Sequence, residues 1–140
     1  MKFHVTPVEV RLSEVDAFGV VWHGRYVEYF EVGRTDLLRR HGLSAADLRA
    51  SGYFPAVVHL ECDLLATAHL EERLIVRSRP IREETAKLSI QFEIGRAEGA
   101  EIVARGRTTQ VLLDSRGVLL YRFPEGVAEK VEALLAAYAS

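Results

Sequence analysis

The stretch from Arg11 to Arg40 constrains the fold more than any other part of the chain. Its second half predicts a helix from about Gly24 to His41, and the first turns of that helix carry few polar residues. A helix that is apolar nearly all round is normally buried. Gly42 follows a run of positive side chains, which is a typical helix end. We therefore expect the rest of the chain to wrap this helix.

Strands in which apolar and polar side chains alternate are predicted to form the wrapping layer. They are placed at Phe3–Leu12, from Pro55 onward, at Glu72–Arg82, around Leu88–Ile94, at Ile102–Leu113 and, as a short last strand, at Val118–Tyr121. No helix separates the strands after Pro55, so the sheet is expected to be antiparallel. The predicted class is α+β, with one antiparallel sheet wrapped around one long central helix.

In two of the predicted strands, the side chains that share a face affect how the strand packs. In the strand after Pro55, one predicted face holds Val58, Leu60, Cys62 and Leu64, and the other holds Val57, His59, Glu61 and Asp63. In the strand Ile102–Leu113, the small residues Ala104, Gly106 and Thr108 share a face, which would let the helix approach the sheet closely. Ser44 and Asp47 resemble a capping box opening a short helix, and Pro124 suits the first position of a closing helix.

The composition limits the classes of protein to which this chain can belong. With 140 residues, of which 49% are hydrophobic and 27% charged, the chain is expected to form a single domain over residues 1–140. The formal net charge of −2 argues against nucleic acid or an anionic membrane as the main partner. No apolar run is long enough to insert into a membrane, no signal-peptide core is present, and Cys62 is the single cysteine. We therefore expect a cytoplasmic protein.

The segment Val15–Tyr26 carries the most specific motif, VDAFGVVWHGRY. It resembles the D-x-x-G-V-V-[YW]-H-x-x-Y signature of the 4-hydroxybenzoyl-CoA thioesterase family, and within it the bacterial acyl-CoA thioesterases that work with the Tol-Pal system. The matching positions are Asp16, Gly19, Val20, Val21, Trp22, His23 and Tyr26. The resemblance implies a hot-dog fold, hydrolysis of an acyl-CoA or acyl-carrier thioester, and a homodimer or homotetramer with sites at the subunit boundary. It implies no cofactor and no metal, because coenzyme A is part of the substrate.

Hydrolysis of a thioester needs a nucleophile or an activated water, and a group that stabilises the oxyanion. The candidate for the first role is Asp16, acting either as general base or as direct nucleophile. The candidate for the second is the N-terminus of the central helix, which offers backbone N–H groups and a positive dipole end. Gly19 and Gly24 would allow backbone to approach a ligand. The resemblance places His23 near the thioester or in support of the loop.

The remaining predicted substrate-binding positions come from the same segment: Gly19, Val20, Val21, Trp22, Gly24, Arg25 and Tyr26. Two residues depart from the family pattern. Leu12 stands where relatives have a tyrosine, and Arg25 stands where they often have an asparagine. Leu12 keeps open a second hypothesis, a non-catalytic module of the same fold that binds an acyl thioester or acyl carrier protein.

Other constellations have simpler explanations. Asp16 would serve equally well as a turn cap, as loop aspartates commonly do. Another branch of the hot-dog fold uses a helix glutamate as its catalytic acid, which makes Glu31 a rival candidate, but an ion pair between Glu31 and Arg34 is expected here. His59, Glu61 and Asp63 share a strand face, which is more typical of a solvated sheet surface than of a metal site.

Overall fold

The computed structural model describes residues 1–139 and contains an antiparallel five-stranded sheet with one long helix against it. The strand order is β1-β3-β4-β5-β2. The elements are β1 (His4–Glu9), α1 (Arg25–Arg39), α2 (Ala45–Ala50), β2 (Phe54–Leu64), β3 (Arg73–Ile81), β4 (Lys87–Arg96), β5 (Ile102–Leu113) and α3 (Glu125–Ala137). The predicted α+β arrangement is confirmed. Within residues 1–139, no helix has the length and apolar character needed to cross a membrane.

The central helix α1 packs closely on the sheet where β5 is lined with small residues. A Cβ added at Gly106 would lie 2.3 Å from Cε2 of Phe30, so only glycine fits at this contact. The Phe30 ring stacks on that of Phe92 in β4, with 4.7 Å between centroids. The predicted close approach of helix and sheet is therefore confirmed.

The prediction that α1 is buried nearly all round is only half right. Tyr26, Tyr29, Phe30 and Leu37 are buried, but Val32 is 46% exposed on the opposite side. The reason is geometric, because one sheet covers only one side of a helix.

Three predicted boundaries are wrong. β1 ends at Glu9, since residues Leu12–Glu14 form a 3-10 turn instead of continuing the strand. The segment Val118–Tyr121 is not a strand, and its ladder is reduced to one bridge between Leu113 and Leu119. Pro124 is the residue before α3 and not its first residue.

The prediction of which β2 side chains share a face is correct only from His59 onward. Val57 pairs with Gln110 and His59 with Thr109, so Val58 is an extra residue in a β-bulge. A bulge exchanges the faces of a strand, because side chains alternate with a period of two. Val57 consequently lies on the face of Leu60, opposite to the prediction.

Candidate active site

The loop that carries Asp16, residues Val15–Val21, is a small hairpin, called the Asp16 loop below. Val15 and Val21 form an antiparallel bridge, and the Asp16 N–H donates to the Val20 carbonyl at 2.8 Å. The turn closes through Gly19, whose N–H donates to the Asp16 carbonyl at 3.0 Å. Gly19 has a φ of +77°, a conformation that favours glycine.

The Asp16 side chain caps this turn with one of its two oxygens. Oδ1 accepts a hydrogen bond from the Phe18 N–H at 2.8 Å, and the residue is partly exposed. Oδ2 accepts no hydrogen bond from residues 1–139. The carboxylate therefore has the capping role and, at the same time, a free oxygen. An oxygen in that condition is able to bind water or to meet a carbonyl carbon.

Both arms of the Asp16 loop are fixed to neighbouring backbone. On one side the Trp22 N–H donates to the Glu14 carbonyl at 3.0 Å. On the other side the Val21 N–H donates to the Ala68 carbonyl at 2.9 Å, and Val20 forms a bridge with His69. The loop is thus held from two directions immediately before α1 begins.

Glu14 is a buried residue beside the Asp16 loop that was not predicted from the sequence. It is only 4% exposed, and its Oε1 accepts from the Tyr29 hydroxyl at 3.1 Å and from the Arg11 N–H at 2.8 Å. Burial by itself would raise the pKa of Glu14, but the hydrogen bonds from Arg11 and Tyr29 outweigh it, and the pKa lies below its usual value. The available signal was weak, because Arg11 is not a residue that normally opens a capping box.

Tyr26 supports the loop from the helix. Its hydroxyl accepts a hydrogen bond from the Ala68 N–H at 3.1 Å, and burial raises the pKa of Tyr26. Tyr26 and Val21 are both buried in the core. Contact of these two side chains with substrate stays a prediction. In the structure they belong to the core that supports the Asp16 loop.

The N-terminus of α1 follows directly. The Arg25 N–H donates to the Trp22 carbonyl at 2.8 Å, and the next amides, those of Tyr26 and Val27, have no acceptor inside the helix. Gly24 makes room for the chain's own indole, since a Cβ there would lie 2.2 Å from Cζ3 of Trp22. Gly19 is different, because nothing lies within 4 Å of the Cβ position there. Of the two glycines, Gly19 is the one with open space for a ligand.

Three of the predicted site residues, Trp22, His23 and Arg25, are at least partly exposed. The His23 ring is exposed and lies 4.8 Å from the Trp22 ring, centroid to centroid. Arg25 donates to Oε1 of Glu28 at 2.7 Å and to the Ser13 carbonyl at 3.2 Å, so it links the helix to the residue before Glu14. Phe18, at the tip of the Asp16 loop, is 89% exposed. The exposed residues next to Asp16 in the chain are thus partly apolar, as with Phe18 and Trp22, and partly polar, as with His23.

The other polar clusters that the sequence suggested as possible sites lie elsewhere and make other contacts. Arg34 is buried and bonds both Glu31 and the Thr108 hydroxyl, which confirms the expected pairing of Glu31. His59 contacts Glu61 through Nε2 at 2.8 Å on the outer face of β2. Among the residues that the structure describes, no group of three or more His, Cys, Asp or Glu side chains is arranged to hold a metal.

Comparison with known proteins gives the family. The model of the thioesterase-like superfamily matches residues 10–131. A Synechocystis protein, sll0410, provisionally named an esterase, is 30% identical over 123 residues, which cover 87% of this chain and 74% of that protein. The acyl-CoA thioester hydrolase YbgC of Escherichia coli O157:H7 is 35% identical over 72 residues, about half of either chain (51% and 54%).

A solved structure gives the same fold. The 1,4-dihydroxy-2-naphthoyl-CoA thioesterase Slr0204 of Synechocystis superposes with a TM-score of 0.84, covering 95% of this chain and 98% of its own. At 22% identity this likeness shows the fold alone. The match over residues 10–131 includes the Asp16 loop, α1 and every strand except β1. The chain therefore belongs to the thioesterase-like superfamily and has the hot-dog fold that its sequence predicted.

Proposed function

We propose that this protein is an acyl-CoA thioesterase in which Asp16 supplies the carboxylate and the N-terminus of α1 polarises the thioester carbonyl. The observation that carries the proposal is the free Oδ2 of Asp16 on a hairpin fixed directly before that helix. Membership of the superfamily supports it, as does the similarity to an enzyme named as an acyl-CoA thioester hydrolase. The narrower placement with the Tol-Pal-associated branch rests on the motif at residues 15–26.

The chemistry follows from the two groups. Asp16 removes a proton from water, the resulting hydroxide adds to the carbonyl carbon, and the oxyanion is stabilised by amides at the start of α1, before coenzyme A leaves as the thiol. In the alternative, the Asp16 carboxylate itself adds to the carbonyl, the C–S bond breaks and coenzyme A leaves as the thiolate, and water then hydrolyses the mixed anhydride to the free acid and the Asp16 carboxylate. A positioned oxyanion donor contributes roughly 3–4 kcal/mol, and a general base roughly 10²–10⁴ in rate.

The two routes differ in where an oxygen isotope ends up. After turnover in ¹⁸O-labelled water, the general-base route puts the label in the released acid and none in the protein. In the nucleophilic route, attack of water at the Asp16 carbonyl of the anhydride puts ¹⁸O into the peptide containing Asp16. Label found in that peptide by mass spectrometry therefore demonstrates the nucleophilic route.

We further propose that a second copy of the chain completes the site. β2 is an edge strand whose helix-side face leaves apolar residues uncovered, with Leu60 46% exposed. An edge of this kind is a template for pairing with another chain. Clefts of 260 and 310 Å³ exist, but they lie against α3 and not at the Asp16 loop. In a homodimer or homotetramer, with one such domain in each subunit, the neighbouring subunit would cover the open side of the Asp16 loop.

The test of function is release of free thiol from a panel of short-chain, long-chain and aromatic acyl-CoAs. Turnover of at least one member is the expected result. Binding of several members without release of thiol would instead favour the non-catalytic module, the hypothesis that the exposed Leu12 keeps open. Light scattering on the same preparation gives the mass of the assembly, and a monomeric protein that is fully active would contradict the shared site.

A further inference from the structure

A buried hydrogen bond joins the Asp16 loop to α1, and the mechanism above does not use it. Glu14 lies two residues before Asp16 and is 4% exposed, while Tyr29 in α1 is 1% exposed. The Tyr29 hydroxyl donates to Oε1 of Glu14 at 3.1 Å. Burying a carboxylate is costly unless it is hydrogen-bonded. The hydrogen bond from Tyr29 therefore offsets part of the cost of burying Glu14.

The Glu14–Tyr29 hydrogen bond acts on Asp16 through the backbone on either side of the Asp16 loop. The Glu14 carbonyl accepts from the Trp22 N–H at 3.0 Å, so Glu14 fixes the entry to the loop and its exit. The other arm is held by Tyr26, whose hydroxyl accepts from the Ala68 N–H. Tyr26 and Tyr29 lie three residues apart on one face of α1, with ring centroids 6.0 Å apart. Two neighbouring tyrosines thus anchor the two arms.

We propose that Glu14 and Tyr29 are positioning residues: their hydrogen bond fixes the Asp16 loop relative to the N-terminus of α1 and so sets the catalytic geometry of Asp16. The inference rests on the proposed function and deepens it, because it assigns the residues that hold the carboxylate and the oxyanion site in register. Neither residue meets the substrate.

The two oxygens of Glu14 have different partners, which makes the inference testable. Oε1 accepts from Tyr29 and from the Arg11 backbone, whereas Oε2 accepts only from the Arg11 guanidinium, at 3.0 and 3.2 Å. That guanidinium belongs to a side chain that is 74% exposed. Glu14→Gln retains Oε1 and its bonds to Tyr29 and the Arg11 backbone, and loses the ion pair of Oε2 with the Arg11 guanidinium. Glu14→Leu removes both.

Tyr29→Phe deletes the hydroxyl alone. We expect kcat to fall by about tenfold to a hundredfold with KM changed by less than about threefold, because a misplaced reacting group costs that much in rate. Glu14→Leu should behave alike, whereas Glu14→Gln should stay within about threefold of wild type. Loss of activity in Glu14→Gln equal to that in Glu14→Leu would instead make the Glu14 charge itself catalytic and overturn the positioning role.

The matched control is Thr6→Val, which removes another buried hydroxyl that bonds α1. Thr6 Oγ1 donates to Oδ2 of Asp36 at 2.9 Å, away from the Asp16 loop. This variant should lose thermal stability as Tyr29→Phe does, with kcat unchanged. Equal losses of kcat in the two variants would reduce Tyr29 to a general stabilising residue.

A double-mutant cycle ties the effect to Asp16. In single-turnover experiments, Tyr29→Phe should cost nothing further once Asp16→Asn is present, because the geometry being set no longer matters. The same loss in both backgrounds would overturn the proposal.

A readout independent of turnover separates this inference from the proposed function. Trp22 is the single tryptophan, and its backbone is bonded to Glu14. Acrylamide quenching of its fluorescence should rise in Tyr29→Phe and Glu14→Leu but not in Glu14→Gln. If wild type releases no thiol while quenching follows this pattern, the proposed function fails and the anchoring role stands. If Tyr29→Phe is folded with wild-type quenching and kcat, the inference is wrong.

Discussion

The two ends of α1 use the same kind of contact for different purposes. At the N-terminal end, the helix contributes a hydroxyl, Tyr29, to a carboxylate on the loop, Glu14. At the C-terminal end the roles are exchanged, because the helix contributes the carboxylate, Asp36, and β1 contributes His4 and Thr6, at 2.6 and 2.9 Å. Both contacts fasten α1 to the segment that precedes it in the chain.

The difference lies in what each contact holds. Next to Glu14 stands Asp16, with an oxygen that accepts no hydrogen bond from residues 1–139. Next to Asp36 stands Leu37, which is completely buried, and Arg39 and Arg40, whose exposed guanidinium groups lie 3.4 and 3.6 Å from Asp36. The C-terminal end therefore stabilises the fold, whereas in our proposal the N-terminal end also positions the carboxylate of Asp16. Substitutions at the first should change stability without changing kcat.

The largest effect on stability is expected for Leu37→Ala. Truncation of a fully buried leucine costs about 2–5 kcal/mol, through lost burial and the cavity that remains. Urea unfolding measures this loss, and kcat per folded molecule should stay at the wild-type value. A large fall in kcat at full folding would mean that the two ends of α1 are coupled and would break the comparison.

Asp36→Ala should cost less, about 1–3 kcal/mol, because the Thr6 hydroxyl and the His4 ring lose their acceptor. The comparison is with Glu14→Leu, which should lower kcat as well as stability. Thermal melts together with steady-state rates separate the two outcomes. Equal effects on kcat at the two positions would remove the distinction between them.

Acid should destabilise the protein at both ends. The hydrogen bond from His4, followed by that from Thr6, holds the pKa of Asp36 below its usual value, and the pKa of Glu14 is lowered too. A lowered carboxyl pKa contributes stability that is complete above the unfolded pKa of about 4 and is lost as the pH falls through the folded value. Urea midpoints should therefore drop below about pH 4. Glu14→Gln should flatten part of this dependence, and an unchanged pH profile in that variant would contradict the assignment.

The smallest change is expected for Gly24→Ala. The backbone of Gly24 is helical, with φ −69° and ψ −18°, and the clash is with a half-exposed indole that is free to swing away. Stability should change by less than about 0.5 kcal/mol, the range typical of surface substitutions. The emission maximum of Trp22 should shift, since the ring must leave its place over Gly24. An unshifted spectrum would show that the indole does not rest there in solution.

Much of the fold was predictable because local chemistry decides it. The Ser44–Asp47 capping box forms as expected, with the Asp47 N–H donating to Ser44 Oγ at 3.1 Å, and Gly42 has the positive φ of a helix end. The small residues around Gly106 also predicted the close packing of α1. For the capping box and for Gly42, the signal lies within a few residues of its effect.

The features that were missed depend on distant partners. The bulge at Val58 is set by the register between β2 and β5, which no single strand encodes. Glu14 reads as an ordinary loop acid, and only the folded chain brings it to Tyr29, fifteen positions away. For the same reason the motif identified Asp16 as a candidate, whereas the residues that hold it in place became visible only in three dimensions.

The most direct test of the central claim is the single-turnover rate of Asp16→Asn on an acyl-CoA that wild type hydrolyses. Asparagine retains the oxygen that accepts from the Phe18 N–H, so the Asp16 loop should keep its conformation. Asp114→Asn is the matched control, because Oδ1 of Asp114 accepts from the Arg116 and Val118 amides in a similar turn far along the chain.

We predict that Asp16→Asn lowers the rate at least about a hundredfold, as expected for loss of a general base or nucleophile, with an unchanged melting temperature. Asp114→Asn should retain the wild-type rate. Full activity of Asp16→Asn would contradict the account, because it would leave the carboxylate with the turn-capping role alone.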